Sequence, residues 1–151
     1  MEKINPNDYE VFDANGMIAG RLASAVAKSI LQGKKAIVIN AENAIISGRR
    51  STIIENYKTR VNLKNKVNPD NSPYWPRRPD LLLKRIIRGM LPYRKPHGKS
   101  AYRNLRVFMG VPEALKDAKR TEIESKNPKE MYVSYITLKE LSKSLGYETK
   151  V

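Results

Sequence analysis

The chain has 151 residues, 40% of them hydrophobic, and sets 29 Lys and Arg against 15 Asp and Glu for a formal net charge of +14. That length bounds it to a single domain, residues 1–151, with one core, and the hydrophobic content is too high for a disordered basic tail. Cysteine is absent, which excludes disulfides and thiolate metal sites.

The opening MEKINPNDYE has no basic segment followed by an apolar one, and no apolar run approaches the roughly 20 residues that span a bilayer. The expectation is a cytoplasmic protein without membrane partners. Tyr9-Glu-Val-Phe-Asp13 reads as a strand closed by the turn Asn15-Gly16. Ile18, Leu22, Ala25, Val26, Ser29 and Ile30 then recur at helical spacing, with Arg21 and Lys28 turned away and Gly33 as a left-handed stop. Ala36 to Ile39 is a short, branched, apolar run that reads as a buried strand, and Ala44 to Ile46 is a candidate for another. Strand, helix and strand in about thirty residues make a βαβ unit, hence an α/β fold with a parallel sheet and helices on its faces. The turn from Asn15 to Gly20 has the setting of a dinucleotide loop without its three-glycine spacing. Gly16 reads as turn geometry and Gly20 as close packing of helix on sheet.

After Ser47-Gly48, the run Arg49-Arg50-Ser51-Thr52 opens a second helix with an apolar stripe of Ile53, Ile54, Tyr57 and Val61, flanked by Lys58, Arg60 and Lys64. Between Lys66 and Pro79 four prolines exclude helix interior and central strand, leaving a stiff, extended arm. Asp80 is the expected N-cap of a third helix with Leu82, Leu83, Ile86, Ile87 and Met90 on its inner face and Lys84, Arg85 and Arg88 opposite. Met90 to Ser100 reads as a loop, Tyr102 to Leu105 as a single helical turn and Arg106 to Met109 as a strand. Thr137-Leu-Lys-Glu140 is a capping box opening a short helix through Leu138, Leu141 and Leu145, with Gly146 at its end.

Charge is not spread evenly along this path. Arg49 to Gly110 holds sixteen Lys and Arg against Glu55, Asp70 and Asp80, which is thirteen of the fourteen net charges. Such a stretch fits a polyanion, because each cation placed on a phosphate releases a condensed counterion. Tyr74, Trp75, Tyr93, His97 and Tyr102 are interleaved with the cations, so bases can stack where phosphates are held. Enzyme chemistry finds little support in the same residues. Gly98-Lys99-Ser100 matches the end of a phosphate loop, but Tyr93 stands where its first glycine belongs, and Pro92 and Pro96 remove amides. His97 is the only histidine and has no nitrogen or sulfur co-ligand for zinc. No carboxylate pair or nucleophile, base and orienter assemble. The expectation is a non-enzyme with no metal, cofactor or small-molecule substrate.

Three segments together resemble the large-subunit ribosomal protein L-thirteen family. They are Asp13-Ala-Asn-Gly-Met-Ile-Ala-Gly-Arg-Leu-Ala23, Asn40-Ala-Glu-Asn-Ala-Ile-Ile-Ser-Gly48, and Ile87-Arg-Gly-Met-Leu-Pro92 continued through Gly98 and Ala101 to Leu105-Arg-Val-Phe-Met-Gly110. The Asn68-Pro69 arm and Tyr135-Ile-Thr-Leu-Lys-Glu-Leu141 look like its archaeal and eukaryotic branch, with Ser72 where the pattern has glycine before Pro73-Tyr74. The resemblance implies a three-layer α/β/α sandwich on a mainly parallel sheet of about four strands. It also implies a structural role: binding large-subunit ribosomal RNA beside neighbouring ribosomal proteins, supporting subunit assembly and translation. A free-standing RNA-binding regulator is the alternative. The expected RNA contacts are Arg49, Arg50, Lys58, Arg60 and Lys64 from the second helix, then Arg77, Arg78, Lys84, Arg85 and Arg88. Arg94, Lys95, His97, Lys99 and Arg103 continue them in the loop, with Tyr74 and Trp75 as stacking candidates and packing in the core as the alternative for Trp75. Gly89 and Gly98 are expected to permit tight backbone paths.

Overall fold

The computed structural model describes residues 8–116, 118–121, 123 and 134–148. In chain order its elements are β1 (Tyr9–Asp13), α1 (Ala19–Leu31), β2 (Lys35–Ile39), β3 (Ile45–Ser47), α2 (Arg50–Asn62), α3 (Pro79–Gly89), α4 (Pro96–Arg103), β4 (Leu105–Val107), β5 (Arg120–Thr121), β6 (Tyr135–Thr137) and α5 (Leu138–Ser144). The expected βαβ unit is present: β1 and β2 run parallel in register from Tyr9 opposite Lys35 to Asp13 opposite Ile39. β4 adds to the far side of β2 and β5 to the far side of β1, both parallel, giving the order β4-β2-β1-β5.

Both faces of the sheet's centre are covered, which is why β2 reads as a nearly continuous apolar run. Phe12, Ala36 and Val38 face the helices, where Leu22, Val26 and Ile30 of α1 meet Leu83 and Ile87 of α3, Ala101 of α4 and Leu141 of α5. Val11, Ile37 and Ile39 face the other way, onto Leu115 in a short 3-10 turn and the half-buried Tyr9, Phe108, Val111 and Ala118. The layers of the expected sandwich are therefore unequal, one thick with helix and one thin. Each fully buried Leu or Ile contributes about 1.5–3 kcal/mol relative to exposure.

Several expectations change. The strand foreseen near Ala44 forms as β3, but it pairs antiparallel with β6, outside the main sheet. The left-handed Asn40, at φ 55°, and the 3-10 turn Ala41–Asn43 redirect the chain before it can extend the sheet. Asp80 does not cap α3. Pro79 occupies the first helical position with Arg78 before it, and Asp80 lies in the first turn, where Arg78 Nε and Nη2 donate to its two oxygens at 3.2 and 2.9 Å. Proline has no N–H to satisfy at that position and its fixed φ suits it, so it sets the start.

The segment Pro96 to Ser100, foreseen as loop, is the body of α4, again with proline in the first turn. Gly98 makes this possible: a Cβ there would stand 2.2 Å from the Pro92 carbonyl oxygen. Gly20 and Gly89, by contrast, face open space. The close contact of α1 with the sheet belongs instead to its buried neighbours Ala19 and Ala23. On α3 the inner face is narrower than foreseen, with Leu82, Leu83 and Ile87 buried, Ile86 half-buried and Met90 exposed. The N-cap half of the expected capping box forms: Thr137 Oγ1 accepts from the Glu140 amide at 3.2 Å, and α5 follows.

Candidate nucleic-acid interface

The basic block folds into α2, the proline arm, α3 and α4. Helix α2 has no buried residue; its apolar stripe, Ile53, Ile54, Tyr57 and Val61, packs half-buried on the edge of the core. It is an outlying helix, and Arg49, Arg50, Lys58, Arg60 and Lys64 on or beside it are all exposed. Arg50 lies 3.7 Å from Glu140 with both side chains in solvent, a pairing worth about 0–1 kcal/mol.

The arm between α2 and α3 keeps its shape through side-chain caps in place of a helix or sheet ladder. Asn65 Oδ1 accepts from the amides of Val67 and Asn68 at 3.0 and 3.2 Å, and Asn68 Oδ1 accepts from the Asp70 amide at 3.2 Å. Ser72 closes the unit: its amide donates to the Pro69 carbonyl at 3.0 Å, and its hydroxyl accepts from the Asn65 amide at 2.8 Å. A glycine at Ser72 could not make the second contact.

Trp75 ties the arm to both helices. The Arg85 guanidinium lies 4.2 Å from its ring centroid and the Arg60 guanidinium 5.2 Å, while Tyr57 meets it edge-on at 6.5 Å. Arg60 also lies 5.2 Å from the Tyr57 ring, and Arg85 Nη1 donates to the Tyr74 carbonyl at 3.3 Å. Trp75 is thus half-buried among its own chain's cations, outside the apolar core. Tyr74, its neighbour, is 89% exposed.

The outer face of α3 is less bare than helical spacing alone suggests. Lys84 lies 5.1 Å from the Tyr102 ring, Arg85 is over Trp75, and Arg88 lies 5.0 Å from Tyr93. Tyr93 and Tyr102 stack edge to face at 5.3 Å. Each cation therefore rests on an aromatic ring, an attraction worth about 0.5–1 kcal/mol at exposed sites, and all three are half-buried. Burial lowers the pKa of Lys84 and of Arg85, with the Arg88 charge adding to the effect on Arg85. Burial also raises the pKa of Tyr57 and Tyr102. Arginine stays charged regardless, so the face remains cationic while its side chains are held in place.

Around this patterned face, Arg77, Arg94, Lys95, His97, Lys99 and Arg103 are exposed, and Arg78 is exposed but bound to Asp80. The structure gathers Arg60, Tyr74, Trp75 and Arg85 at one place, and Lys84, Arg88, Tyr93 and Tyr102 at another. Tyr57 escapes a reading of the sequence that assigns it to the apolar stripe. The one available signal is its spacing of three from Arg60 on the same helix.

The carboxyl ends of the parallel strands, where α/β folds commonly hold nucleotides, are internally bonded here. Asp13 accepts from the Asn15 amide at 3.0 Å, Asn40 Nδ2 at 2.9 Å and Arg120 Nη1 at 2.8 Å. Both Glu42 carboxylate oxygens accept from the Gly110 amide, at 3.1 and 3.0 Å. Among the described residues no helix is long and apolar enough to cross a membrane, and no group of three or more His, Cys, Asp or Glu could hold a metal ion.

Comparison with known proteins adds a family. A family model described as ribosomal protein L13 matches residues 7–114. The large ribosomal subunit protein uL13 of Archaeoglobus fulgidus is 43% identical over 148 residues, covering 93% of this chain and 90% of the relative. Those of Methanocaldococcus jannaschii and Methanosphaera stadtmanae are 45% and 44% identical over 137 residues, each covering 90% of this chain and 96% of the relative.

Proposed function

Since this chain belongs to the ribosomal protein L13 family, we propose that it is a structural constituent of the large ribosomal subunit, acting in the cytoplasm as one folded domain. Its partners are the subunit's RNA and neighbouring ribosomal proteins, and its role is to hold RNA in place during assembly and translation without catalysing a reaction. The relatives' names favour this over a free-standing regulator.

The observation that carries the RNA contact is the cation and aromatic pairing along α3, where Lys84, Arg85 and Arg88 each rest on a ring. A merely solvated charge run needs no such seats. A guanidinium held by a ring has already lost much of its rotamer freedom, so less entropy remains to be lost when it meets a phosphate. Exposed Arg49, Arg50, Lys58, Lys64, Arg77, Arg94, Lys95, His97, Lys99 and Arg103 extend the surface, with Arg60 and Arg78 beside them. Replacing Arg85 and Arg88 together by Glu tests the assignment. The two lost cation–aromatic contacts cost about 1–2 kcal/mol, so the variant should remain folded yet enter large subunits poorly. Incorporation equal to wild type at physiological salt would rule out this face as an RNA contact.

A further inference from the structure

A groove of about 870 Å³ opens between the end of α2, the proline arm and the start of α3. Its lining includes three apolar or aromatic side chains left largely in water: Leu63 at 51% exposure, Leu81 at 43% and Tyr74 at 89%. Isolated exposed apolar residues need no explanation, but several around one concavity mark a contact surface. Lys64 and Arg77 also line the groove, and among the described residues neither is paired with a carboxylate. Arg78, the remaining cation there, is already bound to Asp80.

These features select an occupant. A planar ring beside two unpaired cations suits a ligand that alternates flat apolar surfaces with negative charges, which is the chemistry of a nucleic-acid strand with unstacked bases. A paired duplex does not fit it, because its bases are stacked inward and its exterior offers the groove only sugar and phosphate. Of the three aromatic residues in the lining, Tyr147 is half-buried, and Trp75 is engaged by Arg60, Arg85 and the edge of Tyr57. Tyr74 makes no ring contact and projects into solvent. Its backbone is nevertheless fixed, with its carbonyl bonded by Arg85 and prolines at 73 and 76 on either side. Such a ring is presented at low entropic cost.

We propose that this groove holds an unpaired RNA nucleotide, with its base stacked on Tyr74 and its flanking phosphates on Lys64 and Arg77. The proposal rests on the RNA-binding reading above and assigns a distinct task to the arm: α3 and α4 meet the phosphate exterior of folded RNA, whereas the arm captures a base that has left its stack.

The test compares binding of the full chain, by fluorescence anisotropy, to a short oligouridylate, whose bases scarcely stack, and to a blunt RNA duplex of equal length. Tyr74→Ala should weaken binding of the single strand by about five-fold or more, the lower bound for loss of one stacked base, and leave duplex binding unchanged. Tyr74→Phe, which keeps the ring, should bind both as wild type does. Because Tyr74 is so exposed, neither change threatens the fold. The site is disproved if Tyr74→Ala binds the single strand as wild type does, or loses both RNAs equally. If wild type binds the duplex but not the single strand, the groove fails and the RNA-binding reading stands; if it binds neither, both fail. Normal single-strand binding by Tyr74→Ala together with poor entry into subunits would instead assign the groove to a protein neighbour.

Discussion

Replacing Trp75 by alanine should loosen α2 without unfolding the core. The indole makes two contacts with guanidinium groups, each worth about 0.5–1 kcal/mol, and one edge contact with Tyr57, worth about 0.5–1.5 kcal/mol. The contacts share one ring and do not add independently, so about 2 kcal/mol is a reasonable sum. α2 has no buried residue of its own, so this is a large part of what fixes its second half. By contrast, α1 and β2 are anchored by Leu22, Val26, Ile37 and Val38, none exposed by more than 1%. Native-state hydrogen exchange separates the two regions. At 1.4 kcal/mol per factor of ten, amides from Glu55 to Asn62 should exchange about thirty-fold faster in Trp75→Ala, while those of β2 keep their protection. Trp75→Phe should fall between. Unchanged exchange in α2 would show that the clasp contributes nothing, and an equal loss in α2 and β2 would place Trp75 in the core, contrary to the structure.

Two further outcomes follow from local geometry. Gly98→Ala would drive a methyl group into the Pro92 carbonyl, 2.2 Å away; overpacking of this kind costs about 1–3 kcal/mol, read as a lowered thermal midpoint. A midpoint equal to wild type would mean that the loop before α4 yields freely. Glu10 accepts from Ser29 Oγ at 2.5 Å and pairs with Lys34, and the Lys34 contact first, then Ser29, holds its pKa below the ordinary carboxyl range. Its contribution is complete above about pH 4.3 and is lost as pH falls through the lowered value. The stability of wild type should therefore decline more steeply in acid than that of Glu10→Gln, and parallel decline would refute the link.

Much of the scaffold was legible because its signals are local. Branched apolar runs at Val11 and Ile37 to Ile39 announce buried strands, the 3.6-residue spacing from Leu22 to Ile30 announces α1, and Thr137 with Glu140 announces α5. Two of the failures share an origin in proline. Pro79 took the helix start assigned to Asp80, and Pro96, placed in a loop, opens α4, while Gly98 permits the tight backbone path expected of it. The cationic stretch was visible as a bare count of residues. Its organisation was not, since Arg60, Trp75 and Arg85 come from three elements and meet only through the tertiary fold. Sequence spacing put Lys84, Arg85 and Arg88 on one side of a helix; it could not supply Tyr102, Trp75 and Tyr93 beneath them.

Membership of the large subunit is tested most directly by sedimentation. Cells producing the tagged chain are lysed, and ribosomal subunits are separated on a sucrose gradient at high salt, which strips proteins held only by loose surface charge. The chain should travel with the large subunit and be absent from the small one. Recovery at the top of the gradient, with large subunits intact below, would contradict a structural role in that particle.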